Sequence, residues 1–186
     1  MDFDKVIKER HSVRNFKTTK DVDWRKVIEA IEAANRVPFA GNISSIRFVF
    51  VTEPEKIAEL TEACQQRFVA DAKYIVVVCS DEAQVKRSYD ERGEMYLRQE
   101  AGAAIENFLL KITELGLASC WVGAFSDESV KEILRIPDNI KVEALLPVGY
   151  EMGKAVQRKK SDLDRILYFN KWKEKRMVPA RLPEAG

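Results

Sequence analysis

The sequence contains few of the residues on which metal sites and disulfide frameworks are built. Its 186 residues include one histidine and three cysteines, and the cysteines show no C-x-x-C spacing. A zinc centre normally needs several His or Cys ligands, so no metal site is expected. Cys64, Cys79 and Cys120 lie in apolar runs, where buried reduced thiols are the ordinary outcome. This cysteine usage predicts a cytoplasmic protein.

A large excess of charge and long apolar runs are also missing. Lys and Arg total 31 and Asp and Glu total 30, for a formal net charge of +1. This balance disfavours the broad basic face of a nucleic-acid-binding protein. No apolar run approaches the roughly 18 residues of a membrane span, and residues 1–8 lack the apolar core of a signal peptide. With 46% hydrophobic and 33% charged residues, the chain is expected to form one globular domain over residues 1–186.

Common catalytic and nucleotide-binding motifs are absent too. No GxGxxG follows a strand, no P-loop occurs, and no GxSxG elbow is present. A Ser–His–Asp triad would have to use His11, which stands between an arginine and a serine with no nucleophile elbow in the chain. These absences argue against Rossmann enzymes, P-loop NTPases and α/β-hydrolases.

Hydrophobic periodicity predicts several helices. Phe3, Val6 and Ile7 share a helical face after the candidate cap Asp2. Further helices are predicted from Trp24 after the cap Asp23, from Pro54, through Ala101–Leu115 with Gly116 as its terminator, and after the cap Ser126.

Runs of β-branched, aromatic or continuously apolar residues predict strands between these helices. They cover Ile46–Thr52, Tyr74–Cys79, Ala118–Phe125 and Val142–Tyr150. Pro147 places the last of them at a sheet edge or at a bulge. Together the elements predict an α/β or α+β domain with one sheet of four or five strands.

The stretch RHSVRNF, residues 10–16, concentrates positive charge near the start of the chain. In an extended backbone, its alternate residues Arg10, Ser12 and Arg14 point to one side. Arginine forks and a hydroxyl suit a phosphate dianion. A second basic cluster at residues 158–160 could close on the same anion after folding. The other interpretation, solvated surface charge at both places, stays open from these residues alone.

Four segments, taken in order, resemble the nitroreductase family of FMN-dependent, homodimeric flavoproteins. RHSVRNF is similar to its N-terminal flavin-phosphate motif. VPFAGNISSIRFVFV, residues 37–51, is similar to its Pro-Ser-x-x-Asn-x-Gln-Pro-Trp-x-Phe loop and strand. Residues 100–125 resemble the family's central helix and following strand, and residues 145–172 resemble its closing segment.

The resemblance covers most of the chain and implies a specific fold. It is an α+β fold, an α/β/α sandwich with a mixed, mostly antiparallel sheet of four or five strands flanked by helices. A long central helix and a C-terminal arm, residues 173–186, belong to the same pattern. The arm is exchanged in a homodimer that holds FMN at the subunit interface.

The resemblance also implies the cofactor and its contacts. FMN is bound, and NADH or NADPH is the electron donor. The phosphate and ribityl clamp consists of Arg10, His11, Ser12, Arg14, Arg158 and Lys160, with Lys159 replacing either of the last two if the register shifts. The loop that reaches FMN from the other subunit contains Pro38, Phe39, Ala40, Gly41 and Asn42, and a later turn offers the N–H groups of Gly123 and Ala124. Flavin N5 carries the chemistry, so no catalytic side chain is expected.

The chain departs from the family pattern in that loop. Ser44, Ser45 and Ile46 stand where Gln-Pro-Trp is usual, and Phe39 replaces a small residue and could line the substrate pocket. The implied activity is reduction of nitroaromatics, quinones or a similar flat acceptor by a ping-pong cycle. The alternatives are a flavin-fragmenting or dehalogenating relative, a flavin-binding carrier or sensor without turnover, and a globular protein without flavin.

Overall fold

Four strands form one antiparallel sheet in the order β1-β2-β4-β3. They are β1 (Ile46–Val51), β2 (Tyr74–Asp81), β3 (Ala118–Ser119) and β4 (Ile140–Gly149). The two long central strands are buried on both faces, which explains their unbroken apolar runs. All four strands occur where the sequence predicted them, although β3 is much shorter than the expected Ala118–Phe125.

β3 ends after two residues because the chain leaves the ladder at Cys120 and Trp121. It returns at Val122, which exchanges two backbone hydrogen bonds of 3.0 Å with Leu145 of β4. In a strand, the backbone groups of alternate residues face the same neighbouring strand. Pro147, two residues after Leu145, therefore faces the interruption in β3, where no ladder bond requires a backbone N–H. The expectation of an edge or a bulge at Pro147 is therefore wrong: β4 is central, and its bulge lies at Glu143.

Helices cover both faces of the sheet and complete the predicted α/β/α sandwich. The main core lies between one sheet face and α2 and α5, and a second core lies between the other face and α3 and α6. The α-helices of residues 1–153 are α1 (Phe3–Glu9), α2 (Trp24–Ala34), α3 (Pro54–Cys64), α4 (Glu82–Tyr89), α5 (Arg92–Glu114) and α6 (Asp127–Leu134).

The long central helix α5 extends further toward its N-terminus than the periodic run predicted. It spans 23 residues, and its inner face carries the apolar residues Leu97, Ala101, Ala104, Ile105, Phe108, Leu109 and Ile112. It ends at Glu114, and Gly116, just beyond the cap Leu115, has a φ of +72°, the left-handed conformation expected of a helix terminator.

The computed structural model describes residues 1–153, 157 and 159–177, with the backbone alone at position 84. Its contacts divide the chain into two units, Met1–Ala155 and Val156–Gly186. The second unit contains the short helix α7 (Leu163–Ile166). Within the described ranges, no helix combines the length and apolar character that crossing a bilayer requires.

The two predicted aspartate caps differ, and this difference gives a matched test. Asp23 accepts a hydrogen bond of 3.0 Å from the backbone N–H of Arg25, whereas Asp2 makes no side-chain capping bond. We expect Asp23→Ala to lower the free energy of unfolding by about 1 kcal/mol, because an N-terminal donor loses its partner. Asp2→Ala serves as the control and should cost clearly less in urea denaturation. Equal losses in the two variants would contradict this assignment of the caps.

Candidate functional site

The basic stretch near the N-terminus lies beside β3. The N–H of Val13 donates to the carbonyl of Ser119 at 3.0 Å, and the side chain of Val13 is buried while Ser12 and Arg14 are exposed. Phe16 is also buried, and its ring atom Cδ1 would lie 2.9 Å from a Cβ at position 149. Only glycine fits there. The segment is therefore pinned along its apolar side, with its polar side turned outward.

Two of its basic residues contact carboxylates. Arg10 Nε lies 3.2 Å from Glu106 Oε1 on α5. The His11 ring faces acceptors on both sides, with Nδ1 2.6 Å from the carbonyl of Glu9 and Nε2 3.0 Å from Glu151 Oε1. Burial lowers the pKa of His11, but these acceptors outweigh it, so the pKa is raised above its ordinary value. The cationic ring, which donates from both nitrogens, suits this environment.

Ser12 and Arg14 lie beside the thiol of Cys120. Burial raises the pKa of this thiol, while the Arg14 charge and a hydrogen bond from Ser12 act in the opposite direction. Arg14 forms no ion pair with any residue in the part of the chain that the structure describes. The neighbouring Ser119 hydroxyl is buried and has no hydrogen-bond partner among the described residues. The Arg14 cation and the Ser12 hydroxyl, both exposed, are therefore gathered beside Cys120.

The loop between α2 and β1 has an unusual backbone. It forms a short 3₁₀ turn at Ala40–Asn42, in which Gly41 and Asn42 have φ values of +58° and +57°. The hydroxyl of Tyr89, at the end of α4, would lie 2.7 Å from a Cβ at position 41. Both the left-handed backbone and this close approach favour glycine at position 41.

The remaining predicted residues of this loop are differently placed. Pro38 is exposed, as are Gly41 and Asn42 at the tip of the turn, and Ala40 is half-buried. Phe39 is also half-buried, and it packs against the main core. The loop thus presents its tip outward while one aromatic side chain holds its base.

A buried carboxylate lies under the same loop. Glu100 of α5 is 5% exposed, and its Oε1 accepts the N–H of Ala40 at 2.7 Å. Its Oε2 accepts the hydroxyl of Ser45, which is 2% exposed, at 2.5 Å. The carbonyl of Ser45 also accepts the N–H of Asp81 at 2.8 Å. Ser45 thus supplies a donor to this carboxylate, and the next residue, Ile46, enters the main core.

The turn after β3 carries exposed backbone donors. Gly123 and Ala124 are exposed, and the carbonyl of Ala124 accepts a hydrogen bond of 3.2 Å from Gln66 Nε2. In the described part of the chain, neither residue donates its N–H to a backbone oxygen. Trp121 is 42% exposed, and its ring would lie 3.8 Å from a Cβ at Gly102 of α5. Free N–H groups and an exposed indole therefore share this turn.

The structure brings together only part of the predicted clamp. Residues 10–14 lie next to Ser119 and Cys120, at the start of the segment that leads to Gly123 and Ala124. Arg158 lies outside the described residues. Lys160 is exposed in the second unit, and Lys159 pairs there with Asp162 at 2.9 Å. The second arm of the clamp therefore stays a prediction.

Six residues at the site were not singled out from the sequence. They are Tyr89, Glu100, Glu106, Ser119, Trp121 and Glu151. Only Glu100 carried a readable signal, because a charged residue three positions after Leu97 and four before Ala104 falls on the apolar face of α5. The other five depend on contacts between segments distant in sequence.

Comparisons with known proteins agree with this architecture. A chain from Archaeoglobus fulgidus, provisionally named an NADH dehydrogenase/NAD(P)H nitroreductase, is 33% identical over 151 residues, 78% of this chain and 83% of its own. A nitroreductase family protein from Clostridium difficile 630 has 28% identity and a TM-score of 0.82, covering 92% of this chain and 100% of its own. An FMN-dependent nitroreductase from Clostridium difficile R20291 shares the fold, with 24% identity, a TM-score of 0.77 and 90% and 98% coverage.

The family model of the nitroreductases matches residues 7–69 and 61–150. The match includes the basic stretch, the loop before β1, the whole of α5 and the turn after β3. It therefore spans every part of the first unit in which donors and small residues are gathered. The chain belongs to the nitroreductase family.

Proposed function

We propose that this protein is an FMN-dependent oxidoreductase that takes hydride from NADH or NADPH and reduces a nitroaromatic, a quinone or a similar flat acceptor. The observation that carries the proposal is the anion-binding character of residues 10–14 beside Ser119 and Cys120. Family membership and the FMN-dependent neighbour of the same fold support it.

The residues present fit the phosphate end of FMN. Arg14 offers a guanidinium with no acidic partner among the described residues, and Arg10 keeps its terminal nitrogens while Nε faces Glu106. The cationic form of His11 adds charge beside them. Arg10, Ser12 and Arg14 would hold the phosphate and ribityl oxygens through charge-assisted hydrogen bonds. Glu106 and Glu151 orient the side chains that they contact.

The exposed N–H groups of Gly123 and Ala124 fit the polar edge of the flavin ring. Donors directed at that edge stabilise the negative charge of the reduced ring, which is how a protein tunes a flavin. When bound, FMN supplies hydride acceptance at N5. The chain's own contribution is to bind and orient donor and acceptor in turn, in a ping-pong cycle, so no protein acid or base is required.

A homodimer with an exchanged C-terminal arm completes this proposal. Since the carbonyl of Ser45 faces β2 through its bond to Asp81, the backbone groups of Phe48 and Phe50 face the other way. In residues 1–153 no strand pairs with that edge of β1. An open edge with half-buried apolar side chains is a template for an added strand.

Exposed apolar residues in both units support the same dimer. Phe3 and Ile7 of α1, predicted to share a helical face with Val6, are 66% and 49% exposed, and only Val6 of that helix is buried. In the second unit, Ile166 and Trp172 are 64% and 79% exposed. Partner subunits would cover these side chains. Three free buried cysteines suit a reducing compartment such as the cytoplasm.

The first test of the activity is an absorbance spectrum of the purified protein, followed by anaerobic addition of NADH and then of NADPH. We expect the bands of oxidised flavin, bleached by at least one of the two nucleotides. Flavin bands that survive both nucleotides would contradict the reductase and favour a flavin carrier. A protein without flavin bands, even after addition of FMN, would contradict the cofactor assignment.

The phosphate clamp is tested by Arg10→Ala and Arg14→Ala. Each should weaken FMN binding by roughly 1.5–3 kcal/mol, the range for hydrogen bonds to charged groups. Arg25→Ala, which removes an exposed arginine of α2 paired with Asp23, is the matched control and should leave FMN affinity unchanged. FMN titrations that show no weakening in either clamp variant would refute the assignment.

The exchanged arm is tested by deleting residues 173–186. Sedimentation velocity should show a dimer for the full chain and a monomer for the shortened one, because the arm's contacts with the partner are lost. The full chain at equal concentration is the control. A monomeric full chain, or a shortened chain that stays dimeric, would show that the arm does not hold the dimer together.

A further inference from the structure

We propose that Glu100 is a positioning residue that holds the Phe39–Ser45 loop in the conformation in which it contacts FMN, and that Ser45 acts with it. This inference rests on the proposed function. It assigns a role to a residue outside the phosphate clamp, which would contact neither the cofactor nor the substrate.

The geometry ties both ends of the loop to one rigid group. The two oxygens of the Glu100 carboxylate bind Ala40 and Ser45, five positions apart, at 2.7 and 2.5 Å. Glu100 itself lies within α5, the longest helix of the fold. The loop between these two bonds contains the left-handed pair Gly41 and Asn42. A backbone conformation of this kind persists when its surroundings hold it in place.

Burying the Glu100 carboxylate costs more free energy than burying an apolar side chain at the same place. The residue is 5% exposed, and no cation pairs with it among the described residues. A carboxylate removed from water loses its hydration, and two hydrogen bonds offset only part of that loss. An apolar side chain would fill the same volume without this penalty. Unlike an apolar side chain, the carboxylate holds two donors of the loop in defined positions.

This arrangement gives a role to the departure from the family pattern. A proline at position 45 would offer no donor, whereas the Ser45 hydroxyl binds Glu100 directly. The exposed loop tip is the part expected to reach the flavin of the other subunit. Displacing it should change FMN affinity and the KM for the acceptor, and should leave the clamp at residues 10–14 intact.

The chain offers a closely matched control pair. Ser80 is 1% exposed, and its hydroxyl donates to Glu143 Oε1 at 2.6 Å. The carboxylate of Glu143 also accepts a bond from Arg98 at 3.2 Å, and its side chain is 8% exposed. Ser80 and Glu143 lie on β2 and β4, and neither binds the Phe39–Ser45 loop. Removing this serine–glutamate bond reproduces the loss of a buried hydrogen bond without touching the loop.

The experiment compares Ser45→Ala and Glu100→Leu with Ser80→Ala and Glu143→Leu in the full-length protein. For each, FMN binding is titrated, KM and kcat are separated, and hydrogen exchange of the Ala40 amide is measured without FMN. Ser45→Ala and Glu100→Leu should weaken FMN binding or raise the acceptor KM by about fivefold or more, with faster Ala40 exchange. The control variants should lower the unfolding midpoint and leave these quantities within about twofold.

Glu100→Gln separates geometry from charge. The amide oxygen can still accept from Ala40, and the amide nitrogen can donate to the Ser45 hydroxyl, so near wild-type FMN affinity is expected. Variants that speed Ala40 exchange without altering FMN binding or KM would overturn the positioning role, as would a loss shared equally by the controls. Failure of the proposed function is distinct, because it appears in the unmutated protein as an absence of FMN binding or of bleaching by NADH or NADPH. If Glu100→Leu does not fold, Ser45→Ala decides the question alone.

Discussion

Burial of β2 and β4 on both faces is the constraint on which the rest of the structure depends. Two central strands without a solvated face require a helical layer on each side, and α2 with α5 and α3 with α6 supply them. The edges of the sheet then acquire different roles. At the β3 edge, the basic stretch pairs with Ser119, and a turn with exposed N–H groups follows the break in the strand. At the β1 edge, no strand of residues 1–153 pairs with the outward-facing backbone.

The electrostatics of the site are a balance between cations and nearby carboxylates. Glu106 contacts Arg10 at Nε and leaves its terminal nitrogens, whereas Glu9 and Glu151 engage both ring nitrogens of His11. Arg14 and Ser12 instead lie beside a neutral thiol, because burial raises the pKa of Cys120. Arg10 and His11 are thus already oriented, and Arg14 has no acidic partner among the described residues. An anion can bind to such a cluster with little rearrangement of the side chains.

The sequence predicted the elements whose side chains follow a simple period. Asp23, Gly116 and Ser126 mark helix ends as expected, since capping depends on neighbouring residues. The short length of β3 and the central position of Pro147 could not be predicted from periodicity or capping, because they depend on which strands pair in the sheet. The same holds for Glu100. Its position on an apolar helix face is visible in the sequence, but its two loop partners appear only once the chain is folded.

The contact between Tyr89 and Gly41 limits the order in which this loop can change during evolution. While the tyrosine hydroxyl occupies the space beside residue 41, any side chain there meets both a steric barrier and a left-handed backbone. Loss of the hydroxyl removes the first barrier and leaves the second, which asparagine or aspartate tolerates best. A lineage that first replaces Tyr89 could therefore accept asparagine or aspartate at position 41, whereas the same change made first would meet the tyrosine hydroxyl.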